Sequence, residues 1–402
     1  MQARGMLLIA APGQGAQTPG FLAPWLELPG FAARLESWSE LAGCDLIRAG
    51  TTADADEIRD TAVAQPLLVA AAMAAALDQV ITGAYPVSRA SVAVAGHSVG
   101  ELAAGVLAGV ITPEDAMRLV RVRAQGMAAA AAAEETGMTA VLGGDEDAVL
   151  AAIETCGLTP ANVNGAGQIV AAGTMAQLAV FAANPPAGCR LRPLSVAGAF
   201  HTHHMAPAAA ALAAAAATVQ AADPVRPLLS NRDGSVVKSG PDWLDRIINQ
   251  VSAPVRWDMC MQTMATLGVT ALIELPPAGT LTGLAKRALR GIELVSLKTP
   301  DDLTAARALV AQHADSHADS HAPEWRLLVA PLAGTFRAPN GHPLAAGPGT
   351  VVGLGTDLGH VEMRGGSHVV SASFPATVIE WLVEDGDPVS AGQPLVRLQP
   401  AD

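Results

Sequence analysis

Lysine is nearly missing from this chain of 402 residues, occurring only at Lys238, Lys286 and Lys298. Acidic residues outnumber basic ones, 37 against 24, for a formal net charge of −13. A general nucleic-acid binder needs a basic stripe to neutralise phosphates, and the chain has none; a local basic patch facing an acidic partner remains compatible with it. Aromatic residues make up only 3% of the sequence, and alanine runs take their place, a bias of composition more than a sign of function. The 4 cysteines, Cys44, Cys156, Cys189 and Cys260, are scattered without a C-x-x-C pair. That pattern suggests neither a zinc site nor a disulfide framework and fits a reducing cytoplasm. Long apolar runs are also lacking. The N-terminal "MLLIAAP" is shorter than a signal h-region and passes directly into "GQGAQTPG", so it reads as a first buried strand, and no stretch suits a membrane span.

The length allows two or three domains, each with its own core. From Met6 to about Arg123, apolar strands ("MLLIAAP", "SVAVAG") alternate with helical patterns ("VAQPLLVAAAMAAALDQVI", "VGELAAGVLAGVI"), the rhythm of a parallel sheet covered by helices. Between about Met127 and Leu194 the order becomes βαββαβ, from "GMTAVLGG" to "CRLRPLSV", which reads as a ferredoxin-like insert over 128–195. The larger unit resumes with "VAGAFHTHHM" and ends with the strands "VTALIELPP" and "GIELVSLKT". Residues 313–324 contain the repeat "HADSHADSHAPEW" and read as a linker. His313, His317 and His321 recur at a spacing that would place metal ligands on one helical face, but the intervening Ser and Asp and the closing Pro favour a spacer. Residues 325–402 are glycine-rich with short alternating strands, the pattern of a small all-β domain.

Chemistry concentrates at "VAVAGHSVGELAAGVLAG", Val92 to Gly109. Gly96 and Gly100 flank Ser98 where a strand switches to a helix, which is the signature of a nucleophile elbow: the turn is too tight for side chains at the flanking positions. "GQGAQ", Gly13 to Gln17, is a glycine-rich turn without the G-K-S/T of a phosphate loop, and beside an elbow serine it suits the second half of an oxyanion hole, Gln14 N–H with Val99 N–H. A serine nucleophile needs a base. In "AFHTHHM", any of His201, His203 and His204 taken singly reads as a packed or surface histidine; His201, directly behind a strand, is the one a sheet edge would aim inward as base, and His97 either points away from Ser98 or serves as a second donor. Arg118, Arg121 and Arg123 share one helix; Arg123, just before the change of subdomain, suits a planar partner for a carboxylate substrate. The Arg256–Trp257 pair in "IINQVSAPVRW" has no role assignable from spacing.

Together, "GQGAQ", "AQPLL", "GHSVGE", "VNGAGQIV", "AFHTHHM", "NQVSAPVRW" and "PPAGTLTGLAKR" resemble, in order and across residues 1–312, the malonyl-CoA:acyl carrier protein transacylase family of fatty-acid and polyketide synthesis. The resemblance implies an α/β fold: an α/β-hydrolase-like large subdomain with the ferredoxin-like small one inserted. It implies Ser98 as nucleophile, His201 as base, Gln14 and Val99 as oxyanion-hole amides, Arg123 as the malonate-binding arginine, and Gln250 as the residue whose backbone carbonyl orients the histidine. Gln65 and Asn164 match pocket-lining positions. Val99 and the Phe200 of "AFH" resemble malonyl-selective members, where methylmalonyl-selective ones tend to carry Gln and Ser. The implied reaction is ping-pong transfer from malonyl-CoA through a seryl ester to the phosphopantetheine thiol of an acyl carrier protein, by a cytoplasmic monomer with no metal or other cofactor.

Two other readings compete. An α/β hydrolase shares G-x-S-x-G, but places an acid between serine and histidine in chain order and lacks a carboxylate-binding arginine. A scaffold for an acyl-CoA-forming complex would instead act through its β domain. That tail, in "VAPLAGTFRAP", "GLGTDLGHVEM" and "TVIEWLVEDGDPVSAGQPLVRL", resembles a biotinyl or lipoyl carrier domain, a flattened barrel. The family's modified lysine stands on a hairpin tip in A-M-K-M; here the stretch reads "VEMRGGS", with Gly365 in the lysine's place and Arg364 beside it. A tail of this kind is expected to carry no prosthetic group and either to act as a docking or spacing module, meeting a protein partner in the first case, or to be a fused relic with no partner.

Overall fold

The structure is a computed structural model that describes residues 5–80, 91–314, 326–338, 347, 349–353, 355–363, 365–372 and 375–400. Two compact units divide the chain, Met1–His317 and Ala318–Asp402.

The first unit opens with β1 (Met6–Ala11), α1 (Phe31–Ala42), α2 (Leu46–Thr51), α3 (Thr61–Ala75), β2 (Val92–Gly96), α4 (Gly100–Leu107) and α5 (Pro113–Ala133). A small-sheet stretch follows: β3 (Thr136–Gly143), α6 (Glu146–Thr155), β4 (Thr159–Gly165), β5 (Gln168–Thr174), α7 (Met175–Ala183) and β6 (Cys189–Pro193). The remainder comprises α8 (Ala206–Ala216), β7 (Leu228–Leu229), β8 (Val236–Val237), α9 (Gly240–Gln250), β9 (Val255–Arg256), α10 (Trp257–Thr266), β10 (Val269–Glu274), α11 (Thr280–Ala288), β11 (Glu293–Ser296) and α12 (Leu303–Ala314).

The large sheet has the order β11-β10-β1-β2-β7-β8, parallel except for the β7–β8 pair. Both faces of its central strands are covered, which is why "LLIAA" and "VAVA" are apolar throughout instead of alternating. Leu7, Ile9, Val92 and Val94 point into the larger core with α3, α4 and α5, while Leu8, Ala10, Ala93 and Ala95 join Trp257, Met261, Leu281 and Leu284 on the other side. Helix α3 is buried on nearly every side, as a helix without a polar face must be.

The small sheet has the order β6-β3-β5-β4-β9. Its first four strands form in the βαββαβ order expected from the sequence, with Val149, Ile153, Leu178 and Phe181 of α6 and α7 packed on Val141 and Ile169. Strand β9, from outside that stretch, pairs in parallel with β4 through Asn162↔Val255 and Val163↔Arg256, so the insert is joined to the large subdomain by backbone hydrogen bonds as well as by its linkers.

Several boundaries differ from the expected ones, each for a local reason. The small sheet begins at Thr136, because α5 continues through 128–133 on a buried stripe of Leu119, Val120, Arg123, Met127 and Ala131. Helix α4 stops at Leu107 instead of Ile111: Gly109 takes a left-handed φ of 76°, and Val110 N–H bonds back to Gly105 O. Helix α12 runs into the segment expected as linker. His313 extends the buried series Ala306, Leu309 and Val310, and its ring bonds Leu309 O at 2.8 Å and Thr270 Oγ1 at 3.2 Å. His317 and His321 lie outside the described residues.

The second unit contains two four-stranded antiparallel sheets. One joins β12 (Arg326–Val329), β19 (Pro394–Pro400), β17 (Ala376–Trp381) and β14 (Val351–Val352); the other joins β16 (Gly366–Ser371), β15 (Asp357–Met363), β13 (Gly334–Arg337) and β18 (Pro388–Val389). Two small cores, around Phe336 and around Leu398, both take in Leu328 and Trp381. Met363 pairs with Gly366 at the β15–β16 hairpin, so Gly365 stands at its tip; Arg364 lies outside the described residues.

Candidate active site

Strand β2 delivers Ser98 into a turn where its φ is 52°, a left-handed value that costs a non-glycine residue of order 1–3 kcal/mol. Both flanking glycines are required by space. A Cβ on Gly96 would lie 2.0 Å from the Gly100 carbonyl carbon, and one on Gly100 would lie 2.4 Å from Ala11 O. Ser98 Oγ is 2.7 Å from His201 Nε2, and His201 Nδ1 is 2.8 Å from the Gln250 carbonyl oxygen. A carbonyl only accepts, so Nδ1 carries the ring proton and Nε2 is the lone pair facing the serine hydroxyl.

His201 is not directly behind a strand. Strand β6 ends at Pro193, and His201 sits in a turn with φ 61°, the second strained residue of the pair. Burial, with the Arg123 charge second, pulls its pKa down to about 3. His204 pairs with Glu134 on the half-exposed rim. His97 turns from Ser98 to Asn164, Nε2 to Oδ1 2.9 Å, and packs edge-on with Trp257, their ring centroids 5.6 Å apart. Arg256, next to Trp257, is held by Asp258.

Arg123 is 1% exposed, in mid-helix, not at an open cleft edge. Its Nη1 donates to Gln65 Oε1 at 2.6 Å, and its Nη2 to Ser98 Oγ at 3.2 Å and Gln250 Oε1 at 3.1 Å. Burial lowers its pKa to about 10, with Glu101 opposing, so it stays a cation at neutral pH. Arg118 pairs with Asp115 at the surface and Arg121 reaches Glu40 O.

Gln14, Gln65, Ser98, Asn164, Phe200 and His201 line one cavity of about 330 Å³ between the large and small subdomains; Arg123 and Gln250 stand behind its wall. The Gln14 side chain holds its loop to Thr61 Oγ1, at 3.3 Å. Among the described residues the backbone N–H groups of Gln14 and Val99 have no acceptor, whereas the Ser98 N–H between them donates to Asn231 Oδ1 at 2.7 Å. A cavity of about 480 Å³ beside Gln250 and one of about 580 Å³ beside Thr61 have no hydrogen-bonded nucleophile–base pair among the described residues that line them. The arginines Arg246 and Arg256 of the first are matched by Asp233, Asp242 and Asp258.

Two residues that motif reading passed over complete the arrangement. Glu101, three residues after Ser98, is 1% exposed, accepts from Asn231 N–H at 2.8 Å and from the Gln250 amide, and burial pushes its pKa up to about 8. A glutamate in a first helical turn ordinarily serves the helix dipole in solvent, so its type and place signal nothing unusual. Asn231, fully buried, donates to Gly96 O at 2.8 Å and so clamps the elbow from below. Its sequence signal, "SNRDGS", is that of any turn. Among the described residues no group of His, Cys, Asp and Glu is placed to hold a metal, and no helix is long and apolar enough to cross a membrane.

The acyl transferase domain family matches residues 11–319. The malonyl CoA-acyl carrier protein transacylase of Mycobacterium tuberculosis (strain H37Rv) is 53% identical over 298 residues, which is 74% of this chain and 98% of that protein. The transacylase of the same name from Escherichia coli (strain K12) is 33% identical over 305 residues, 74% of this chain and 97% of its own. Among solved structures, the M. tuberculosis enzyme superposes with a TM-score of 0.71 at 52% identity, over 75% of this chain and 99% of the other. A malonyl-transacylase in complex with a type II PKS acyl-carrier protein superposes with a TM-score of 0.70 at 28% identity, over 76% and 99%.

Proposed function

The chain belongs to the malonyl CoA-acyl carrier protein transacylases of the acyl transferase family, and from that premise we propose that Ser98 carries the malonyl group between its two thiol carriers. The enzyme is an acyltransferase that moves malonyl from CoA to the acyl carrier protein. The hydrogen-bonded row Ser98 Oγ, His201 Nε2, His201 Nδ1, Gln250 O carries the assignment of roles. Ser98 Oγ attacks the malonyl thioester as its proton passes to His201 Nε2; the carbon–sulfur bond breaks, and CoA leaves as the thiol with that proton. The pantetheine thiol of the carrier then attacks the seryl ester, giving its proton to His201, which returns it to Ser98 Oγ.

The free Gln14 and Val99 amides suit the tetrahedral oxyanion, each worth roughly 2.7 to 4 kcal/mol. Arg123 holds the distal carboxylate through the Nη1 hydrogen that Gln65 does not use, since Ser98 and Gln250 take both hydrogens of Nη2. Gln65, Asn164 and Phe200 shape the pocket, with the buried Phe200 ring and Val99 favouring malonyl over its methylated homologue. A hydrolase would be expected to back its histidine with a carboxylate; here a neutral carbonyl does so, at 2.8 Å. Mixing the protein with malonyl-CoA and recording the intact mass tests the scheme: a gain of one malonyl group, mapped to the Ser98 peptide and discharged by a holo carrier, is the expected result. A gain located elsewhere would refute it.

A pH dependence follows from the base. With His201 lowered to about 3, the imidazole is neutral and base-competent throughout the range above that value, so single-turnover acylation keeps its rate well below the ordinary histidine pKa. Unfolded chains would protonate this histidine near 6.5 while the folded one does not, so the same shift makes stability fall as pH drops below about 6.5. Acylation rates that halve near pH 6.5, before any unfolding, would contradict this placement of the base.

For the tail we infer a biotinyl/lipoyl-like domain that carries no prosthetic group and acts in docking or spacing. Its two antiparallel sheets and the Gly365 hairpin tip support the fold, and both groups need a lysine ε-amine, which the chain lacks after Lys298. Protein made with an active biotin ligase is expected to give no streptavidin signal. A chain ending at His317 is expected to keep transfer activity, whereas one ending at Gln312 loses the His313 bonds and about 1–3 kcal/mol of stability. Biotin on the tail, or an inactive His317 truncation, would overturn this account.

A further inference from the structure

Behind the reacting groups, Gln250 joins two buried ionisable side chains that the mechanism above does not connect. Its side-chain oxygen accepts from Arg123 Nη2 at 3.1 Å, its side-chain nitrogen donates to Glu101 Oε2, and Glu101 Oε1 accepts from Asn231 N–H at 2.8 Å. Arg123 and Glu101 are each 1% exposed and Gln250 is 4% exposed, so water does not substitute for any of these partners.

The direction of the central amide matters because its neighbours have fixed polarity. A guanidinium only donates, so the Gln250 oxygen must face Arg123, and the NH₂ then turned the other way needs the acceptor that Glu101 Oε2 supplies, Oε1 being taken by Asn231 N–H; the flipped amide sets NH₂ against the cation. The nucleophile elbow places Glu101 for this. The turn that exposes Ser98 at the cavity brings the first turn of α4 beneath it, where Glu101 meets Asn231 and Gln250.

We propose that Glu101 is a positioning residue for malonyl selectivity: its accepting carboxyl oxygen sets the direction of the Gln250 amide, whose oxygen then holds the Arg123 guanidinium beside Ser98. This rests on the reading of Arg123 as the ligand of the malonyl carboxylate. Glu101 touches neither substrate nor the reacting atoms, and the His201 contact uses the Gln250 backbone, so the arrangement separates the handling of the carboxylate from the handling of the proton.

Glu101→Gln tests the proposal at nearly constant volume. The new amide has one accepting end for two donors, and it is fully paired only when its oxygen takes the Asn231 N–H and Gln250 flips, turning NH₂ toward Arg123. The expected result is a rise of about 10- to 100-fold in KM for malonyl-CoA, a change of less than about 5-fold in kcat, and a matching fall in the preference for malonyl-CoA over acetyl-CoA. The double variant Glu101→Gln with Gln250→Glu moves the carboxyl group one place along the row and restores an acceptor for Arg123 and for Asn231 N–H, while Asn231 Oδ1 keeps the Ser98 N–H, so it is expected to restore the preference to within about 5-fold. If Glu101→Gln alone does not fold, Gln250→Met, which keeps the backbone carbonyl, is expected to give the same KM-weighted loss. Unchanged preference in the folded single variants, a loss confined to kcat, or no rescue by the double variant would each overturn the proposal. Arg123→Ala measured alongside separates the two levels. If it alters the preference while Glu101→Gln does not, only this proposal fails; if it depresses both substrates equally, the reading of Arg123 fails and this proposal with it.

Discussion

Ser98→Ala is expected to abolish the malonyl-enzyme adduct and to lower carrier loading by roughly 10⁴ to 10⁶, the scale of losing a serine nucleophile whose base and oxyanion donors remain. The fold should persist. Alanine at φ 52° bears the same backbone strain as serine, the two glycines that permit the turn are untouched, and the Asn231 clamp acts through the residue 98 backbone N–H. His201 stays anchored on Gln250 O, and Arg123 loses one of its three partners. Intact-mass spectrometry after malonyl-CoA addition is the direct check, with the thermal transition as its control. An adduct of undiminished yield on the alanine variant would remove Ser98 from the role of nucleophile.

Arg123→Ala is the second large effect. Removing one partner from a buried charged arrangement costs roughly 3 to 5 kcal/mol, or about 10² to 10⁴ in rate if the loss falls on the transition state. Malonyl transfer should fall by that factor while acetyl-CoA, which has no distal carboxylate, gains in relative terms. The substitution also strips Gln65 Oε1 and Gln250 Oε1 of their donor and leaves Glu101 without its nearby cation, so some loss of stability is expected as well. The ratio of the two substrates is therefore the informative quantity, because a folding defect lowers both alike. Equal losses would make Arg123 a structural residue.

What the sequence disclosed depended on how local each cause is. The elbow was legible because a tight turn demands glycine at fixed offsets from Ser98, and the large sheet because strands covered on both faces must be apolar throughout. The meeting of His201 with Ser98 came from motif order rather than from pattern. No periodicity announces that a turn with φ 61° will supply the base, and the expectation of a preceding strand missed by the stretch from Leu194 onward. Glu101 and Asn231 were invisible for a related reason: a first-turn glutamate and a turn asparagine are ordinary wherever they are exposed, and only the packing of remote segments makes these two buried. The ends of α5 and α12 were misplaced where a buried stripe ran on to a last residue of unremarkable type, Ala131 in one and His313 in the other, further than their polar neighbours suggested.

Catalytic competence in this enzyme is bound up with long-range closure. The serine and histidine are 103 positions apart, the elbow and its asparagine clamp 133, and the glutamine and glutamate 149. The insert between serine and histidine joins its own strands by short connections, such as Gly165 to Gln168, so its contacts are local by comparison. Non-local contacts incur loop-closure entropy before they return any energy, which places them late in assembly. Recovery of acyl transfer after dilution from denaturant should accordingly trail the recovery of helical circular dichroism, making turnover a clock for the last stage of assembly, when distant stretches of chain finally meet.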